Sequence, residues 1–562
     1  MRYCILWMIV CLLFIFPLTF TLAQEEQEAD SEPADPAMIL PSVVLEIEDL
    51  SIETIETVLP EEYEYLSLER EVLAAEREVP LPEEKIMEVK EPVPVVTLPD
   101  HDTSLGTTDS SFVAEALLGA GYVNNILSQI SFYKLGTSPK YKLLFSHETL
   151  DGFAFHDAGT GFNMREDSLE GSIKGSLGKL ESGLSGHYYE VERGLQGQGD
   201  YFSHISRFID GTASFSILPT EIVNISADIA STFTSMSLTG TTVPEIDLPY
   251  PPLEIVASAA IGSEFTFESF HFGINSLYKY RNLVEGEDFE LHRILARAYC
   301  GIELPLTFIL NTDVGYFYNS DDLWLIPFHI SLSANPIDSF SFRVAGGYRR
   351  EEYDLFSVWR NLAYTGFTVT EAIENDIHGY PDNYGWYGEG GVKLNMDNRF
   401  VFSLSSTLSS NSSILRYPDE TEPDTSTGLY HLEEIEDILK MTGEFGLGIN
   451  VAAWLYLNLK TTGYVLFEEN PESWMEVACE GIAATEEGHW GGSFSLGFYT
   501  DFERDLELPT FDIALFFKIS DNIRIIGEGY DLFSPFMENG RIERGVYVSP
   551  GIRGTFKVHI NF

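Results

Sequence analysis

The chain has 562 residues, 33 Lys and Arg against 88 Asp and Glu, and a formal net charge of −55, with 44% hydrophobic and 13% aromatic residues. A surface this acidic repels phosphate, and no run of Lys and Arg supplies the positive footprint of a nucleic-acid binder, so that class of partner is excluded. Residues 1–100 hold 23 acids, 5 bases and 7 of the 74 aromatics, which leaves 88 − 23 = 65 acids, 33 − 5 = 28 bases and 74 − 7 = 67 aromatics for the remaining 462; the folded mass is therefore expected to begin near residue 106.

Arg2 precedes an apolar run from Tyr3 to Phe16, then Pro17 and a small-residue exit at Thr21-Leu22-Ala23. This is the layout of a cleavable secretory signal over residues 1–23, with the mature chain beginning at Gln24. An uncleaved anchor is the alternative, because the stretch approaches the roughly 20 residues that cross a bilayer. Cys4 and Cys11 leave with the signal. Residues 24–105 are acidic, rich in Pro and Glu and almost free of aromatics, so they cannot bury enough apolar surface to offset chain entropy and are expected to be disordered in the periplasm. Within them, Ser42–Leu50 has the pattern of a strand that adds to a partner's sheet edge, and residues 61–78 that of a short helix. Residues 24–100 are the candidate contact for a periplasmic partner.

Beyond residue 106 the grammar changes to short runs of alternating apolar and polar residues, as in Phe511-Asp-Ile-Ala-Leu-Phe-Phe-Lys-Ile519 and Leu455-Tyr-Leu-Asn-Leu-Lys460. A soluble sandwich also alternates, so the connections discriminate. Tight ones such as Gly178-Lys179 and Ser520-Asp521-Asn522 alternate with long polar ones over residues 239–252, 350–384, 415–437 and 534–549. Transmembrane barrels have this asymmetry, with short periplasmic turns and long outer loops. Pairing the runs across the long connections gives eleven hairpins, from 112–121 with 126–135 to 522–533 with 552–562. The predicted fold is all-β: residues 106–562 form a transmembrane antiparallel up-and-down β-barrel of about 22 strands, with 20 as the next count. The joint from Val451 to Trp454 is the weakest, having no turn former. An even count puts both barrel ends in the periplasm and the barrel in the outer membrane of a two-membraned bacterium.

The last strand, Thr555-Phe-Lys-Val-His-Ile-Asn-Phe562, turns Phe556, Val558, Ile560 and Phe562 toward lipid. Its terminal Phe562 resembles the signal by which barrel-assembly machinery recognises outer-membrane barrels. More specific are Gly529-Tyr-Asp-Leu-Phe533, Ser549-Pro-Gly-Ile-Arg-Gly-Thr-Phe556 and Gly119-Ala-Gly-Tyr-Val-Asn-Asn125. They resemble the closing strands and the barrel entry of TonB-dependent receptors, whose barrels have 22 strands. Those receptors carry a folded plug before the first strand, whereas here only the 77 residues 24–100 and a short linker precede it. The resemblance is therefore to a plugless barrel, and no energy-coupling box stands near Gln24.

No catalytic residue, metal site or cofactor site is predicted. Cys300 and Cys479 fall on strands 10 and 18 of this reading, too far apart for a disulfide, and no Cys-pair or His-x-x-x-His spacing occurs. His378, His431 and His489 lie near loops without partner motifs, and the acidic stretches 419–424 and 433–437 read as solvated loop, with Ca²⁺ or cationic solutes as the other option. Lys460, Lys518, Lys557 and His559 are the lumen-facing candidates. Of Trp359, Tyr364, Tyr380, Tyr384, Trp386 and Tyr387, those nearest Tyr384 are expected in an interfacial girdle. The function these features predict is an outer-membrane, porin-like channel or transporter for solutes, with cation preference from the mean acidity. The alternative is a surface-exposed adhesion or structural barrel that binds through its outer loops.

Overall fold

The computed structural model describes residues 110–562, apart from 242–252, 285–288, 370–381, 418–421, 468–472, 501–507 and a few further single residues and pairs between strands. The signal and the acidic segment with its strand and helix patterns lie outside the described residues.

Alternation at period two forces successive side chains to opposite faces of a strand, so a sheet with grease on one face and polar groups on the other must cover or wet each accordingly. The chain meets this by closing on itself. Its main sheet has twenty-four strands; Trp324–Leu325 is a two-residue piece and Thr365–Val369 a loop strand paired in parallel to Tyr430–Ala452, which leaves 24 − 2 = 22 antiparallel strands in the wall. Each pairs with the next in sequence, and the first, Ser110–Tyr122, pairs with the last, Arg553–Asn561, over Glu115↔Asn561 to Tyr122↔Gly554. Closure removes the free edges that lipid could not satisfy. At this seam Gly121 is required, since a Cβ there would lie 1.9 Å from the Gly554 carbonyl oxygen. The Phe562 N–H continues the pairing to the Ala114 carbonyl at 2.8 Å.

The outer face carries the apolar set: Leu118, Ile130, Leu143, Phe145, Ile229, Ile274, Val344, Leu515, Phe517 and Phe556 are all exposed, while Leu117, Phe516, Thr555 and Lys557 on the same strands turn inward and are buried. Aromatics band this face at both rims, as interfacial rings with one wet edge favour. Trp386 stacks edge-on to Phe328 and Tyr348 near the loop rim, and Phe265, Phe267, Phe270 and Phe272 stack near the turn rim. Among the described residues no helix is long and apolar enough to cross a membrane.

All eleven predicted hairpins form, and the connections divide as predicted into a turn rim and a loop rim. The doubtful joint is a tight turn with a bulge between Asn450 and Ala452, which expels Val451 and makes a glycine unnecessary. Two long connections differ from the sequence reading. Residues 433–437 are not loop: they continue the 23-residue strand Tyr430–Ala452, paired to Ser413–Arg416. The connection 350–384 contains a helix, Leu355–Asn361, capped by the Asp354 carboxylate, which accepts from the Ser357 N–H at 2.8 Å. Both segments rise above the apolar band, where no lipid imposes alternation.

Candidate functional site: a vestibule beneath a loop cap

The inward faces enclose a cavity of about 1920 Å³ at the turn rim. Serine, asparagine and threonine dominate its lining, with five cationic side chains (Lys140, Lys174, Arg343, Lys393, Lys460) and five anionic ones (Glu181, Asp228, Glu264, Glu303, Glu444). The net charge of −55 is therefore not carried into the vestibule, and the cation preference expected from mean acidity has no counterpart in its lining.

The loop rim is built differently. Loops that leave the wall far apart converge on the inner faces of Leu180–Gly194 and Tyr201–Ile217, the fifth and sixth wall strands. The Asp200 N–H donates to the Ser426 carbonyl at 3.0 Å, joining the loop after strand five to the loop after strand fifteen. Those loops are 15 − 5 = 10 strands apart in a wall of 22, nearly a diameter, so their contact bridges the mouth. From the loop between the last two strands, Glu543 pairs with Arg193 at 3.0 Å, and the Val548 backbone exchanges two 2.9 Å hydrogen bonds with the Gln196 side chain. Tyr547, fully buried, donates to the Gly428 carbonyl and stacks on Tyr364 with ring centroids 3.8 Å apart. Leu355, Val358 and Trp359 of the helix complete a buried apolar core with Phe208, Met236 and Leu283 of the wall. The Trp359 indole N–H donates to the Gly366 carbonyl at 3.0 Å.

Charge fixes this helix-bearing loop to the wall. Four wall cations, Lys279, Arg281, Arg293 and Arg350, face one wall carboxylate, Glu254, and three from the connection, Glu352, Asp354 and Asp382. Arg281 lies 2.5 Å from Glu254, whose second oxygen accepts the Leu355 N–H at 2.8 Å. Lys279 reaches Glu352 at 2.9 Å and Asp354 at 3.6 Å. Arg293 holds Asp382 through both oxygens at 3.0 Å and also pairs with Glu352, and Arg350 joins Asp382 at 3.0 Å. Burial pushes the Asp354 carboxyl up, but the Lys279 ammonium and the Ser357 N–H outweigh it and hold the group below the usual carboxylate range. Burial raises the Tyr364 hydroxyl far above its usual value, which keeps it neutral within the cap.

The predicted candidates are dispersed through this frame. Lys460 lines the vestibule. Lys557 lies 2.6 Å from Glu528, both buried, and Lys518 pairs with Asp521 at 3.1 Å next to a turn. His559 sits on the last strand and exposed Phe562 at its end. They do not converge on one site. Trp386 is in the girdle, Trp359 and Tyr364 are in the cap core, and Tyr380 and His378 lie outside the described residues. His431 lies 3.8 Å from Asp424, and His489 is at the turn rim, accepting the Lys518 N–H on its carbonyl. Asp424 shapes its own turn by accepting from the Ser426 and Thr427 N–H groups, each at 2.8 Å. The described residues contain no group of three or more His, Cys, Asp or Glu placed to hold a metal, and Cys300 and Cys479 are free thiols. What the sequence reading missed is the cap, whose cations are spaced at wall positions that look like any polar lining.

A closed wall, greasy outside and polar within, spanned at one rim by packed loops, defines a transmembrane β-barrel of the outer-membrane type. Its fold is similar to those of the siderophore receptor PirA from Pseudomonas aeruginosa (TM-score 0.57, 10% identity, 81% of each chain), the FrpB iron transporter from Neisseria meningitidis (0.60, 9%, 81% of this chain and 83% of that one) and the copper transporter OprC (0.59, 10%, 81% and 80%). The 22-stranded barrel thus resembles those of TonB-dependent receptors, as the closing strands implied, and at these identities the likeness is one of fold. No family model matches the sequence, and neither does any curated protein.

Proposed function

We propose that this protein is an outer-membrane channel or transporter for solutes in a two-membraned bacterium, with the turn rim in the periplasm and with outer loops, not a folded plug domain, obstructing the lumen. The observation that carries the reading is the pairing of a vestibule lined by polar and charged side chains with a cap whose loops cross the mouth. A cap of this kind regulates passage through a lumen. It also spends Tyr364, Leu429, Tyr430 and Tyr547 on buried contacts, which makes them unavailable to a host or matrix surface and disfavours the adhesion reading.

Replacing residues 352–382 by a short linker should raise solute entry into liposomes and channel conductance in planar bilayers. Unchanged permeability together with lost adhesion would favour the surface-binding alternative. Because the vestibule is charge-balanced, the reversal potential of the shortened protein in a salt gradient should lie near zero.

A further inference from the structure

One hydrogen-bonding row of the vestibule wall has a composition that its own strands do not explain. Lys140, Lys174, Gly183, Ser214 and Asp228 are successive register partners across the third to seventh wall strands. All five line the vestibule. The lysines are directly opposite each other on the same face, an arrangement that repels and is normally avoided. Among the described residues neither lysine, nor Asp228, has an ion-pair partner. Glu181, on a neighbouring row toward the turn rim, is likewise unpaired and lies diagonal to Lys174. Between the charged ends the floor carries only small groups: the Ser214 hydroxyl lies over Gly183, 2.6 Å from where a Cβ would stand, and Ser216 follows on the same face.

We propose that this row is a binding groove for a short peptide with free termini, the carboxylate resting on Lys140 and Lys174 and the ammonium on Asp228. The inference deepens the reading of the barrel as a solute transporter and rests on it for the route of access. Length follows from geometry. Lys174 and Asp228 are three strand spacings apart, about 14 Å at roughly 4.8 Å each. An extended peptide covers about 3.3–3.6 Å per residue, so about four residues span the charges. The twin lysines gain the counter-charge their register lacks, and the serine hydroxyls face the peptide's backbone groups.

Calorimetry on the full-length protein in detergent, with tetra-alanine as probe, tests this. Free tetra-alanine should bind, and N-acetylation or C-amidation should each weaken it by about tenfold or more. The double variant Lys140→Gln/Lys174→Gln should lose discrimination against the amide, Asp228→Asn discrimination against the acetyl, and Gly183→Val should block binding while leaving the wall's circular dichroism unchanged. Absent binding, or equal binding of the doubly blocked peptide, overturns the proposal. So does displacement by inorganic phosphate with unchanged peptide affinity in Asp228→Asn, which would reveal an anion site on the lysines alone. Peptide binding in a barrel that passes no solute even with the 352–382 segment shortened would leave the groove standing and remove the transport reading; conductance without peptide binding would do the reverse.

Discussion

Single residues decide where this wall closes and where charge is tolerated inside it. Arg281 and Glu254 are each almost wholly buried, and neither would persist there without the other, because an ion removed from water retains its desolvation cost once its partner is lost. Glu254→Gln is expected to destabilise the protein by about 3–5 kcal/mol, read from urea unfolding in micelles, and the double variant Glu254→Gln/Arg281→Met should recover most of the loss. Gly121 acts through space rather than charge. Gly121→Ala places a methyl against the Gly554 carbonyl and should reduce the compact, heat-modifiable form on gels, whereas Gly388→Ala, where a Cβ meets nothing within 4 Å, should leave that form intact.

At the scale of elements, the cap is a small folded unit made from segments that are distant in sequence. Its apolar core and its ion pairs form together, so removing one keystone should loosen the loops without unfolding the strands. Tyr547→Ala deletes the stacking on Tyr364 and the hydrogen bond to Gly428. Channel conductance should rise while the β-sheet circular dichroism stays constant. The helix anchor also predicts a pH dependence. Asp354 titrates in the folded protein below its ordinary value of 3.8, so its stabilising contribution is fully present above that value and is lost as pH falls through the folded one. The buried Trp359 should therefore report cap opening by fluorescence only in acid below about pH 4, and Asp354→Asn should weaken the cap at neutral pH and flatten that transition.

On the scale of the whole molecule, the wall and the cap answer to different solvents. The wall is held by hydrocarbon outside and by closed pairing within, so its strands need only repeat alternation about 22 times. The cap faces water and obtains its stability from a miniature core and a balanced set of charges. The vestibule beneath it is neutral in sum although the chain is strongly acidic, so permeation experiments should depend on arcs of local charge and not on the net value.

The strands, their count and their lipid faces were legible in the amino-acid sequence because a bilayer punishes every outward polar residue, which writes period two into runs such as Phe511–Ile519. Gly529–Phe533 and Gly119–Asn125 also carried the resemblance that the fold comparison bears out. The continuation of the strand through residues 433–437 and the helix at Leu355–Asn361 escaped, since above the hydrocarbon band nothing enforces that pattern. Only the tertiary structure decided which distant residues meet: that Glu352 and Asp382 face Arg293, that Tyr547 lies on Tyr364, and that Lys140, Lys174 and Asp228 share one row. Alternation fixes the face on which a side chain stands, but its neighbours follow from strand register and from loops crossing a closed cylinder, and those are properties of the assembled sheet.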